Sequence, residues 1–223
     1  MTARDVAVRL PNLDVLQQRC RSVAMLDAIL CPEWDNRRYS YTQDWGGGLS
    51  TAEIRNGSGD DCFIVFTPQG GFIRGFDHES PMSPWRASPP TLWPGLTDGL
   101  PEVFAEFLTE PAFALDGTFA ATYCLWRQQH DPTWQTGPVT YPEHRSGVST
   151  DGADQFLNEV LTNPNSLPYQ RFARDYFEMQ PAPAAVEHVF ALRPLTEPVV
   201  RALNPGIGLD DIADDIDNIG YPV

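Results

Sequence analysis

Between Tyr39 and Asp77 the chain is cut into four short β-forming runs by three clusters of turn residues, and no other feature of the sequence constrains the fold as strongly. The runs are Tyr39–Trp45, Thr51–Asn56, Cys62–Thr67 and Phe72–Asp77; the separators are Gly46-Gly47-Gly48, Asn56-Gly57-Ser58-Gly59 and Pro68-Gln69-Gly70-Gly71. Glycine takes positive φ without a Cβ penalty, and Asn, Ser and Pro favour tight reversals. Runs of this length between such turns predict four strands in an antiparallel meander.

Helical patterning surrounds the meander. Leu16, Cys20, Val23 and Ile29 or Leu30 recur at helical spacing after Pro11 and a capping Asn12, predicting a helix over 13–30 that stops before Pro32. A proline-rich stretch over 80–101, carrying Trp85 and Trp93, reads as an ordered loop. Pro101 and the apolar stripe Val103, Phe104, Phe107 and Leu108 predict a helix over 100–108; residues 118–127 read as strand or helix, and 131–153 as loop. Helices are expected over 153–162, 168–178, 184–192, 196–203 and 209–219. In the last, Leu209, Ile212, Ile216 and Ile219 share a face, Asp210, Asp211, Asp214, Asp215 and Asp217 fill the rest, and Gly220 stands at the C-terminal cap. The fold class is α+β: an antiparallel β-meander in the N-terminal half packed with helices, and a helical C-terminal third. Length allows one domain over 1–223, or a helix-plus-meander unit over 1–130 with a helical subdomain over 150–223.

Thirty acidic side chains against 15 basic ones give a net charge of −15. Nucleic-acid affinity comes largely from cationic residues displacing counterions, and here arginines cluster only as Arg19/Arg21 and Arg37/Arg38, so nucleic acid is not an expected partner. An anionic membrane surface is disfavoured for the same reason. A basic protein would be attracted and its encounter accelerated, although the charge also serves solubility alone. All 15 basic residues are arginine, which removes Schiff-base, P-loop and general-base lysines, and with them kinases and Walker-type ATPases. Such a bias fits a GC-rich bacterial coding sequence. Cys20, Cys31, Cys62 and Cys124 have no zinc-like spacing and read as free thiols in a reducing compartment. The N-terminus lacks a signal-peptide apolar core and no run approaches about 18 apolar residues, so a cytoplasmic, non-membrane protein is expected.

The best catalytic constellation surrounds the hairpin over 62–77. With Gln69-Gly70 as a two-residue turn, Asp61 falls opposite His78 and Asp60 opposite Glu79, so two acids approach one imidazole. A carboxylate facing His78 raises its pKa and orients its ring, the usual preparation of a general base or metal ligand. His78, Asp61 and Glu79, with Asp77 beside them, are therefore the candidate catalytic residues of a small hydrolase or metal-dependent enzyme. Ser80 lies close enough in sequence for a Ser-His-Asp set, without the nucleophile-elbow motif. The alternative is that Asp60, Asp61, Asp77 and Glu79 are strand-end residues that cap turns and pair with Arg74 or Arg55. Elsewhere the signals are weaker. The Asp210–Asp217 run fails the calcium-loop pattern at Ile219. His130, His144 and His188 lack metal-ligand spacing, and Trp126, Trp134, Tyr123 and Tyr141 read as core or as a pocket lining. No glycine fingerprint calls for a dinucleotide, and no cofactor is expected.

The segments Asn56-Gly57-Ser58-Gly59-Asp60 and Phe76-Asp77-His78-Glu79-Ser80-Pro81-Met82-Ser83-Pro84, followed by Leu92-Trp93-Pro94-Gly95-Leu96, resemble an uncharacterised family of bacterial proteins, a likeness that implies no activity. Gly99-Leu100-Pro101-Glu102-Val103-Phe104-Ala105-Glu106-Phe107-Leu108 is similar to a helix of the SUKH superfamily of bacterial toxin-immunity proteins, although here it follows the strands. That resemblance implies an α+β fold and an acidic surface that binds a toxin. The leading expectation is a cytoplasmic acidic binding protein, an immunity protein against a basic toxin; the alternative is the enzyme built on His78.

Overall fold

A computed structural model of the chain describes residues 1–143 and 149–223. The four expected strands are present as β1 (Tyr39–Gly46), β2 (Leu49–Arg55), β3 (Asp61–Thr67) and β4 (Gly70–Phe76). The stretch 118–127, read as strand or helix, carries strand and no helix: β5 (Ala114–Leu115) and β6 (Thr118–Phe119) form a small hairpin, and β7 (Tyr123–Gln128) pairs antiparallel with β4. The main sheet is antiparallel, in the order β1-β2-β3-β4-β7. The α-helices are α1 (Ala3–Ala7), α2 (Leu13–Leu30), α3 (Ala153–Phe156), α4 (Glu159–Thr162), α5 (Leu167–Tyr176), α6 (Pro183–Phe190), α7 (Glu197–Leu203) and α8 (Ala213–Ile219). The fold is α+β.

One register differs from the expectation. The β3–β4 turn centres on Pro68-Gln69 and not on Gln69-Gly70, so Thr67 faces Gly70 and Asp61 faces Phe76. Pro68 suits the first central position of a turn because its φ is already fixed there. The Thr67 hydroxyl secures it by accepting the backbone N–H groups of Gln69 at 3.0 Å and Gly70 at 3.1 Å. Partners along the hairpin therefore shift by two residues, which is the side-chain period of a strand, so each residue keeps its face but meets a different neighbour.

The chain divides into two compact units, each built from two separated stretches: Met1–Leu13 with Ile54–Asn158, and Asp14–Glu53 with Glu159–Val223. The first unit has an aromatic core in which the Phe72 ring lies 5.3 Å from Phe107, 6.3 Å from Phe104 and 6.5 Å from Phe113. That core explains a second difference: the segment expected as an α-helix over 100–108 is the 3₁₀ helix Glu102–Thr109. A 3₁₀ turn eclipses positions i and i+3. Phe104 and Phe107 thereby stack on one side at 6.4 Å, while Val103 is left exposed. On β4, Gly75 leaves the space that the buried Tyr123 ring fills, since a Cβ there would fall 1.9 Å from Tyr123 Cζ.

In the second unit α2 buries Leu16, Cys20, Val23, Leu26 and Ile29. Tyr39, Tyr169 and Phe172 pack edge-on and tilted, with ring centroids 5.3–6.4 Å apart. The helix expected over 153–162 is two pieces, α3 and α4, because Leu157 leaves helical geometry at ψ 51°. The one expected over 209–219 begins as a 3₁₀ turn, Leu209–Ile212, and continues as α8. Gly220 closes α8 in the left-handed conformation at φ +64°, as its sequence position predicts.

Candidate functional site

Three polar residues at the ends of β3 and β4 converge in the first unit. The turn before β3 is built around Asn56, whose Oδ1 accepts the backbone N–H of Ser58 at 2.8 Å and of Asp60 at 3.2 Å. Its amide then donates to Asp60 Oδ2 at 2.7 Å, which fixes the carboxylate just ahead of the strand. Asp77 terminates β4 with a turn of the same kind, its Oδ1 accepting the N–H groups of Glu79 at 2.9 Å and Ser80 at 3.1 Å. Gln155 donates to Asp77 Oδ2 at 3.2 Å. Gly152, at φ +88°, comes so close that a Cβ would fall 2.6 Å from Asp77 Cβ. His78 meets Asp60 twice: its backbone N–H and its ring Nδ1 lie 2.7 and 2.6 Å from Asp60 Oδ1. Arg86 braces the loop from outside by donating to the carbonyls of His78, Glu79 and Ser80 at 3.3, 2.8 and 3.2 Å. One potential ligand atom from each of Asp60, Asp77 and His78 lies within 4.8 Å of the other two.

The electrostatics follow from burial. Asp60 and Asp77 are 5% and 3% exposed, whereas the His78 side chain is 52% exposed. The hydrogen bond to Asp60 is the main cause that raises the His78 pKa, helped by the charges of Asp60, Glu79 and Asp77. Burial pushes the Asp77 carboxyl up and the charge of Asp60 adds to this, against the backbone hydrogen bonds from Glu79 and Ser80 and the charge of His78. The Asp60 carboxylate holds Nδ1 and so orients the imidazole ring.

The expected site residues separate. Asp61 is not the partner of His78: it forms an ion pair with Arg74, which is buried over the rings of Phe63, Phe76 and Phe113. Glu79 is exposed and reaches the cluster only through its charge and its backbone N–H. Ser80 is fully buried; its hydroxyl donates to the Thr150 carbonyl at 2.8 Å and accepts from the Met82 N–H at 3.0 Å, so it takes no part in a Ser-His-Asp set. Asp60, treated in the sequence reading as the partner of Glu79, is the residue that orients His78. Pro68 at the first turn position sets the register that takes Asp61 away from His78, and the Asn56 turn brings Asp60 to it.

Other candidates resolve simply. Trp126, Trp134 and Tyr123 are core residues. The His188 ring nitrogen Nε2 lies 2.8 Å from the Pro194 carbonyl, His130 is exposed, and His144 lies outside the described residues. Cys20, Cys62 and Cys124 are buried, and none of the four cysteines is in a disulfide.

In the second unit, Ile212, Ile216 and Ile219 are buried while Asp210, Asp211, Asp214 and Asp217 face solvent. Arg37, itself buried, donates to Asp215 at 3.0 Å and to the carbonyls of Cys31 and Pro32 at 2.8 and 2.9 Å. Among the described residues Asp215 is the one aspartate of this face that meets an arginine. Among those residues, too, no helix is long and apolar enough to cross a membrane. No protein-family model, curated protein or solved structure matches the chain.

Proposed function

We propose that this chain is a bacterial cytoplasmic binding protein that engages a basic protein through acidic surface, in the manner of an immunity protein that neutralises a cationic toxin. The observation that carries the reading is the acidic face formed by the Leu209–Ile212 turn and α8. Its apolar side is buried, and Asp210, Asp214 and Asp217 stand in solvent without an arginine among the described residues. A chain of net charge −15 attracts cationic surfaces over a Debye length and accelerates encounter, while the same field repels nucleic acid and anionic membranes.

The test is capture of partners from the native lysate, followed by binding measurements with the purified partner at low and high salt. A basic partner is expected, with affinity falling as salt rises. Exposed charges contribute about 0.2–1 kcal/mol each, so the triple variant Asp210→Asn/Asp214→Asn/Asp217→Asn should bind about tenfold more weakly at low salt. A partner that is neutral or acidic, or one that holds the triple variant as tightly as the parent chain, overturns the reading.

A further inference from the structure

We infer that Asp60, Asp77 and His78 form a binding site for a divalent transition-metal ion of the Zn2+ class. The three donors come from two strand ends that the β3–β4 register brings together, with one ligand atom from each within 4.8 Å of the others. Ions that bind oxygen and nitrogen at about 2.0–2.2 Å hold neighbouring ligands roughly 3–3.5 Å apart, so the cluster needs only local closure around an ion. The His78 Nδ1 to Asp60 Oδ1 contact, now 2.6 Å, must lengthen. It belongs to a half-exposed ring, and the ion takes the place of the Nδ1 proton, which passes to solvent.

Charge points the same way. Two buried carboxylates lie side by side, and the positive groups around them are otherwise engaged: Arg74 with Asp61, Arg86 with three carbonyls. A single half-exposed imidazole is a weak counter-charge for two buried acids, and a dication compensates both. The supporting contacts are those expected around a ligand set: Asn56 on Asp60, the Glu79 and Ser80 N–H groups and Gln155 on Asp77. One imidazole with two carboxylates favours Zn2+ or Mn2+ over Ca2+ or Mg2+, which prefer all-oxygen sites. Three protein ligands with a solvent-facing histidine leave a coordination position for water or a small anionic ligand, the pattern of an open site.

The experiment is titration of Zn2+ into the metal-stripped chain in competition with a chromogenic chelator, with Co2+ absorption as a second readout of nitrogen ligation. One ion per chain is expected, with His78→Ala weakening affinity at least tenfold and His188→Ala leaving it unchanged. Because His78 is exposed, His78→Ala should keep its circular-dichroism spectrum and melting temperature, and Asp77→Asn provides a second, shape-preserving ligand loss. Absence of stoichiometric binding by the parent chain refutes the site. So does equal affinity in His78→Ala, which would place the ion on other histidines or on the acidic α8 face.

Discussion

The clearest energetic consequence of the structure concerns Asp27, at the centre of the second unit. Its Oδ1 accepts the Tyr169 hydroxyl at 2.6 Å and its Oδ2 accepts the backbone N–H groups of Arg38 and Tyr39 at 2.9 and 2.8 Å. Burial outweighs these hydrogen bonds and the charge of Arg37, pushing the carboxyl from 3.8 up to about 7. Between those values the native chain keeps a proton that the unfolded chain releases, so stability is greatest at the acidic end of the window and falls as pH rises through it. At roughly 1.4 kcal/mol per pH unit the ionised carboxylate costs about 4 kcal/mol by pH 8. Asp27→Asn removes that term and keeps the shape: the amide oxygen can take both N–H groups while its nitrogen donates to the Tyr169 oxygen. Subtracting about 1 kcal/mol for weaker, uncharged hydrogen bonds, the variant should exceed the parent by about 2–3 kcal/mol at pH 8 and match it within about 1 kcal/mol near pH 4.5. Urea unfolding at both pH values measures this, as a midpoint shift of about 1 M or more at pH 8 with an unchanged slope. A variant less stable than the parent at pH 8 would show that the hydrogen bonds favour the charged carboxylate more than burial opposes it, and the argument would fail.

Two further perturbations test the first unit. Gly75→Ala places a methyl group 1.9 Å from Tyr123 Cζ and should cost about 3 kcal/mol by overpacking, with Tyr123→Leu in the same chain recovering much of it in chemical denaturation. Arg74→Met strips Asp61 of its partner, and because Asp61 keeps some solvent contact the loss should be about 2–3 kcal/mol at pH 7. Burial already pushes the Asp61 carboxyl up, so the penalty should shrink as pH falls and the group takes a proton, which melts recorded at pH 4 and 7 would reveal.

How much could be read in advance depended on how local the determining chemistry is. Strands β1 to β4 and helix α2 were legible because glycine turns, a proline stop and apolar periodicity act over a few residues. The Phe104 and Phe107 pair was visible as an apolar stripe, but its 3₁₀ winding is set by stacking on Phe72, a contact no local pattern carries. Strand β7 was ambiguous because it is apolar throughout its first four residues, as a strand buried on both faces must be. At the candidate site, the sequence points to His78 but pairs it with Asp61, whereas the structure sets Asp60 against the imidazole. The observed register takes Asp61 away from His78, and it is the Asn56 turn ahead of β3, not the strand pairing, that carries Asp60 to the imidazole. The pairing of Arg37 with Asp215 crosses most of the chain and leaves no sequence signal.

The division of the chain carries a consequence for the order of events at the ribosome. The residues of the first unit end at Asn158, whereas the second joins Asp14–Glu53 to Glu159–Val223. Synthesis therefore delivers α2, with its buried leucines and Asp27, long before the α5 tyrosine that satisfies it. Until that stretch emerges, the apolar side of α2 waits without its final neighbours while more than half of the chain is made. In translation this helix is the segment with the longest exposure to chaperones, proteases and other nascent chains.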